Sequence, residues 1–220
     1  SRNIKSIPQV KNLTNEIKKI FKDKNYPILI DQEGGRVNRF KNFLNINTQT
    51  NEYFGHLFKK DKKKFKDTYN DLINKTSKIL KLSGININTV PVLDLRAKGS
   101  NNIIGDRSFS NDPKLVSLLG DICINNFHKN NIATVIKHIP GHGLAKVDSH
   151  KLTPKIKVKY KRLIKKDFST FKNKRSLFAM RAHIIYEDID NLNTATHSKK
   201  VIHLIRKNIK FKNILISDDI

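Results

Sequence analysis

The densest collection of reactive side chains lies between Lys137 and His150. It runs Lys137-His138-Ile139-Pro140-Gly141-His142-Gly143 and continues to Asp148-Ser149-His150. Pro140, Gly141 and Gly143 force a loop directly after an apolar run. That loop carries three imidazoles, a carboxylate and an ammonium group. Histidine moves protons near neutral pH. An aspartate two residues before a histidine, in an extended or turning backbone, can hold the far ring nitrogen, fix the tautomer and raise its basicity. Asp148 and His150 are therefore a candidate acid/base pair. His138, His142, Asp148 and His150 also have the chemistry of metal ligands, so a metal-dependent hydrolase is an alternative. The helical H-E-x-x-H arrangement is absent, and the Pro and Gly residues prevent its i, i+4 pairing.

Two further groups carry chemistry. Asp218, in Ser217-Asp218-Asp219, follows the apolar run Ile214–Ile216. A carboxylate there can serve as a nucleophile or cap the next helix, a role that Asp219 also suits. Asp31, Arg36 and Arg39, with Arg107 in Gly105-Asp106-Arg107-Ser108-Phe109, combine carboxylate and guanidinium groups. Such groups grip sugar hydroxyls with directional hydrogen bonds, or simply pair with each other. Gly34-Gly35 fits a tight turn.

Short apolar runs lead into Asp31, Asp94, the Lys137-His138 pair, His183 and Asp218. The runs are Pro27–Ile30, Asn86–Leu93, Ala133–Ile136, Leu177–Met180 and Ile214–Ile216. They have the length of buried strands and lack strict polar alternation. Between them lie helical stripes: Leu13, Ile17, Ile20 and Phe21; Phe65, Tyr69, Leu72, Thr76, Ile79 and Leu80; Leu115, Leu118, Leu119, Ile122 and Cys123. Asp112 and Pro113 supply a cap and a first-turn residue for the third stripe. Cys123 then reads as a core thiol. Segments 158–172 and 198–209 also read as helices with basic outer faces.

Strand–helix alternation of this kind predicts an α/β fold with a parallel sheet. Asp31-Gln32-Glu33-Gly34-Gly35-Arg36 is not the G-x-G-x-x-G turn of an open dinucleotide-binding sheet. Reactive residues at the C-terminal ends of several strands instead favour a TIM (β/α)8-type barrel. Five strand runs are fewer than eight, and such barrels take about 250 residues. The expectation is a single domain over residues 1–220, a barrel incomplete at both ends and poorly stable in isolation.

The net charge of +25 makes a polyanion a candidate partner. The lysines are spread along the whole chain, however, and no nucleic-acid-binding motif accompanies them. The single cysteine excludes an intrachain disulfide and a cysteine-based zinc site. No run approaches the roughly 18 apolar residues of a membrane span.

With these residues assembled, the sequence resembles the single-domain bacterial β-N-acetylglucosaminidases of glycoside hydrolase family 3. The resemblance rests on Ile30–Val37 with Arg39-Phe40, Pro91–Asp94, Ile104–Phe109, Lys137–Gly143, Asp148-Ser149-His150, Ala182-His183-Ile184, and Ser217-Asp218-Asp219 after a segment opening at Leu204-Ile205-Arg206. These motifs stand in family order from about residue 27 onward. The resemblance implies a TIM barrel and a retaining mechanism without metal or cofactor. It makes Asp218 the nucleophile and His150, paired with Asp148, the general acid/base. Asp31, Arg39, Arg107, Lys137 and His138 would bind the N-acetylglucosamine unit. A histidine would thus replace one carboxylate of the usual pair. The resemblance further implies a monomeric cytoplasmic enzyme of peptidoglycan recycling, acting on muropeptide fragments, with no nucleic-acid or membrane partner. A phosphorylase, with phosphate replacing water, would use the same site. The sequence departs from the family pattern at Lys212-Asn213, where Gly is usual, and at Asn193-Thr194-Ala195-Thr196, which lacks a common Pro.

Overall fold

A computed structural model of the chain describes residues 3–97, 99, 102–146 and 153–218. Asp148, His150 and Asp219 lie outside the described residues.

The chain opens with α1 (Ile7–Ile20), then β1 (Leu29–Ile30), α2 (Asn51–Lys60), α3 (Lys62–Leu82) and β2 (Ile87–Asn88). It continues through α4 (Pro113–Lys129), β3 (Ala133–Ile139), β4 (Lys155–Ile156) and α5 (Tyr160–Lys165). The last elements are β5 (Phe178–Arg181), β6 (Ile185–Tyr186), α6 (Lys199–Leu204) and β7 (Ile214–Ile216).

Five strands form one parallel sheet in the order β1-β2-β3-β5-β7. Each crossover between neighbours carries helical structure, as parallel pairing requires. This is the α/β layout of a TIM-type barrel, an arc of parallel strands wrapped by helices. Among the described residues the arc does not close, since β1 pairs only with β2 and β7 only with β5. A separate parallel pair, β4 with β6, lies outside the sheet.

Polar side chains start the helices as their sequences direct. Ser6, Thr50, Asp61, Asp112 and Ser198 each accept a backbone N–H from the first turn of α1, α2, α3, α4 and α6. The core face of α1 differs from expectation. Val10 and Thr14 are buried, whereas Leu13, Ile20 and Phe21 are exposed, and Phe21 stacks on Tyr26. Thr14 decides that face, because its hydroxyl donates to the Ser83 carbonyl at 2.8 Å. Leu118 of the α4 stripe is likewise exposed, while Leu115, Leu119 and Cys123 are buried. Burial pushes the Cys123 thiol up to about 12, as suits a core residue.

Phe54, Phe65, Tyr69 and Phe109 form an aromatic cluster joining α2, α3 and the segment before α4. Gly55 allows this approach. A Cβ at that position would stand 1.8 Å from the Phe109 carbonyl oxygen. The segment pressed against α2 is the one that carries Arg107 to the sheet.

Candidate active site

The C-terminal ends of β1, β2, β3, β5 and β7 point to one side of the sheet, the usual place for chemistry in such folds. A cavity of about 270 Å³ lies there. Its walls include Asp31, Glu33, Arg39, Arg107, Lys137, His138, His142, Met180 and Asp218.

The deepest wall is an ionic network. Lys137 is buried, and its Nζ reaches Asp31 Oδ1 at 2.7 Å, Glu33 Oε1 at 2.6 Å and Thr89 Oγ1 at 2.9 Å. Thr89 also donates to Asp31. Arg107 meets Glu33 in a bidentate pair, Nε to Oε2 and Nη2 to Oε1, both 2.8 Å. Arg39 stands 3.6 Å from Asp31 Oδ2. Burial opposes ionisation of Asp31 and Glu33, but the Lys137 charge outweighs it, with Thr89 and Arg39 adding at Asp31 and Arg107 at Glu33. Asp31 is held well below the usual carboxylate range and Glu33 is lowered to about 2. Burial likewise works against the Arg107 charge, and the Glu33 carboxylate overrides it and raises Arg107.

The second wall carries the imidazoles. Successive residues of a strand point to opposite faces, yet Lys137 and His138 both serve the site. The register of β3 against β5 shifts between Lys137 and Ile139, which breaks the alternation there. The Lys137–His138 and Ile139–Pro140 peptide bonds are cis. His138 Nδ1 lies 2.6 Å from Asp94 Oδ2, and its Nε2 faces Asp218 Oδ2 at 3.9 Å. His142 packs beside His138 with ring centroids 5.4 Å apart. Burial, reinforced by the charge of His138, pushes His142 down to about 4. Behind this wall Asp167 is buried against Gly141, and the loss of water raises its carboxyl to about 6.

The structure places Asp31, Arg39, Arg107, Lys137, His138 and Asp218 around one cavity. Arg36 stands apart from this cavity. It pairs with Asp106 at 2.9 Å and binds the carbonyls of Asn102, Ile103 and Ile104, so it clamps the Arg107 segment. Glu33, Thr89 and Asp94 carry no role that the sequence alone assigns. Glu33 stands two residues from Asp31, and a period of two would have placed it on the same face. Asp94 ends the second apolar run, as Asp31 ends the first. Thr89 gives no comparable signal. Among the described residues no three His, Cys, Asp or Glu side chains cluster as a metal cage would require. None of the described helices is long and apolar enough to cross a membrane.

Known proteins share this architecture. Gonococcal NagZ (Neisseria gonorrhoeae) superposes with a TM-score of 0.87 at 30% identity, covering 100% of this chain and 64% of its own. The same protein in complex with N-trifluoroacetyl-D-glucosamine gives 0.87 and 30%, over 99% and 65%. A glycoside hydrolase family 3 β-N-acetylglucosaminidase from Paenibacillus sp. gives 0.86 at 28% identity, over 99% of this chain and 41% of its own. The β-hexosaminidase of Hydrogenovibrio crunogenus is 31% identical over all of this chain, which spans 61% of that relative's length. A β-hexosaminidase of Neisseria meningitidis is 30% identical, again with 61% of its length spanned. The model of the glycosyl hydrolase family 3 N-terminal domain matches residues 1–220, and the chain belongs to that family.

Proposed function

We propose that residues 1–220 carry the catalytic barrel of a retaining β-N-acetylglucosaminidase. The observation that supports this most directly is the cavity in which Asp218 faces His138 across 3.9 Å, beside the Asp31–Lys137–Glu33–Arg107 network. A pyranose presents hydroxyls in fixed directions. Asp31, Arg39 and Lys137 offer an acceptor and two charged donors to them, and His138 adds a ring nitrogen. Similarity to proteins named β-hexosaminidase, and to one solved with an N-acylated glucosamine, favours N-acetylglucosamine as the glycone.

The reaction has two steps. Asp218 attacks the anomeric carbon while His150 gives a proton to the leaving oxygen, and a glycosyl ester forms. His150, oriented by Asp148, then takes a proton from water, which cleaves that ester with net retention. The substrate in this reading is a small peptidoglycan-derived fragment, handled by a monomer in the cytoplasm.

The test is nitrophenol release by the complete protein from the β-N-acetylglucosaminide and the β-glucoside, each with and without EDTA. Selective, EDTA-resistant cleavage of the acetylglucosamine substrate is expected, with at least roughly a thousandfold loss of kcat in Asp218→Asn. Equal cleavage of both sugars would remove the N-acetyl specificity. EDTA-sensitive cleavage would move the chemistry to a metal at the histidine loop.

A further inference from the structure

Asp94 is completely buried at the end of the second apolar run. The Leu93 N–H donates to the Lys137 carbonyl at 2.8 Å, which delivers the next side chain to the end of β3. There the Asp94 carboxylate collects donors from two residues. Oδ1 accepts the His142 backbone N–H at 2.6 Å, and Oδ2 lies 2.6 Å from His138 Nδ1. The His138 backbone N–H lies within 3.2 and 3.3 Å of the two oxygens.

A backbone N–H can only donate. A neutral carboxylic acid could donate only toward His138 Nδ1 and would leave Oδ1 alone to accept the backbone N–H groups, so this donor set favours the ionised form. Burial opposes that ionisation, and His138 and His142 together outweigh it, which lowers the carboxyl. An ionised carboxylate has no proton to give. The hydrogen between Oδ2 and Nδ1 therefore belongs to His138.

We propose that Asp94 is a positioning residue for the reaction: it fixes a proton on His138 Nδ1, so that Nε2 is the atom turned to Asp218, and it anchors the start of the loop leading to Asp148 and His150. The inference rests on the glycosidase reading for its kinetic part only. The loop anchor has two further supports. The Tyr186 hydroxyl donates to the Gly141 carbonyl, and a Cβ on Gly143 would stand 2.1 Å from the Leu95 carbonyl oxygen. Backbone 141–143 is thus pressed onto the Asp94 segment.

Asparagine has the shape of aspartate and half its acceptors. With its NH2 toward His138, Nδ1 must become the acceptor and the proton moves to Nε2, facing Asp218. With its NH2 toward His142, two donors oppose each other. Asp94→Asn should therefore lower kcat on the order of 10²- to 10⁴-fold, as wrong-tautomer variants of histidine enzymes do, and change KM much less.

The experiment is histidine 15N NMR on the complete protein, with His138 assigned by its loss in His138→Gln, alongside steady-state kinetics of Asp94→Asn. Wild-type His138 should carry a proton on Nδ1 at every pH examined. A proton on Nε2 with a bare Nδ1 would overturn the proposal without any Asp94 variant. In a folded Asp94→Asn, an unchanged tautomer with kcat within about threefold of wild type would overturn it too. If the wild-type protein fails to cleave N-acetylglucosaminides, the glycosidase reading falls, and the NMR result still decides the role of Asp94.

Discussion

Glu33 joins the two cations that shape the floor of the cavity, and it is almost inaccessible to solvent. Removing one member of a buried charge group leaves its partners desolvated and uncompensated, which costs about 3–5 kcal/mol. Glu33→Gln should therefore lower the unfolding free energy of the complete protein by about 3 kcal/mol at neutral pH. The lower end applies because Lys137 keeps Asp31. The sign of the pH dependence follows from the depressed acidity, about 2 in the fold against an ordinary 4.5. The stabilisation is complete above the ordinary value and disappears as pH falls toward about 2. Urea titrations of both proteins should show their difference shrinking across that interval. A constant gap would mean that Glu33 is not ionised in the fold. Asp31, Lys137, His138 and Asp218 are legible as candidates because a charged group that ends or follows an apolar run sits where a buried strand opens onto its mouth, whereas Arg39 and Arg107 follow no such run and are assigned to the site only by the family resemblance. Thr89 is not legible, since its role depends on Asp31 and Lys137 arriving from other strands.

At the scale of elements, the five apolar runs form the five strands of the main sheet, and α4 starts at the Asp112–Pro113 pair. Three features escape the pattern. Helix α2 is only ten residues long, so its apolar pairs, Tyr53-Phe54 and Leu57-Phe58, make a short stripe, and its packing relies on Phe54, Leu57 and the bare backbone of Gly55. The β4–β6 pair is two residues long on each side, below any readable period. The face of α1 is turned by a hydroxyl, which hydrophobic spacing does not register. Gly55 gives a prediction whose sign separates packing from propensity. Gly→Ala inside an exposed helix gains up to about 1 kcal/mol. Here the added methyl would overlap the Phe109 carbonyl, so Gly55→Ala should lower the thermal midpoint instead. The shift should reach Arg107 as well, because Asn51 of α2 donates to the Arg107 carbonyl at 2.6 Å. A raised midpoint with unchanged KM would show that α2 does not constrain that segment.

Across the whole molecule two opposing features meet. Among the described residues β1 and β7 each pair on one side only, and unpaired strand edges template association. Against this stands a net charge of +25, which keeps copies apart while its field is unscreened. The screening length falls from about 30 Å at 0.01 M salt to about 8 Å at 0.15 M. The 220-residue polypeptide should therefore sediment as monomer at low salt and self-associate as salt rises. Association that weakens with salt would point to charge pairing rather than strand edges. The order of the sheet has a consequence in time. Its strands lie side by side in the sequence in which a ribosome makes them, so each new strand meets an edge already in place. Asp31 and Asp218 are roughly 190 residues apart. At about 5–20 residues per second, Asp31 emerges some 10–40 s before the proposed nucleophile, and His138, the last of the groups proposed to hold the sugar, about 4–16 s before it. A nascent chain can thus acquire its recognition pocket well before it acquires the means to cut.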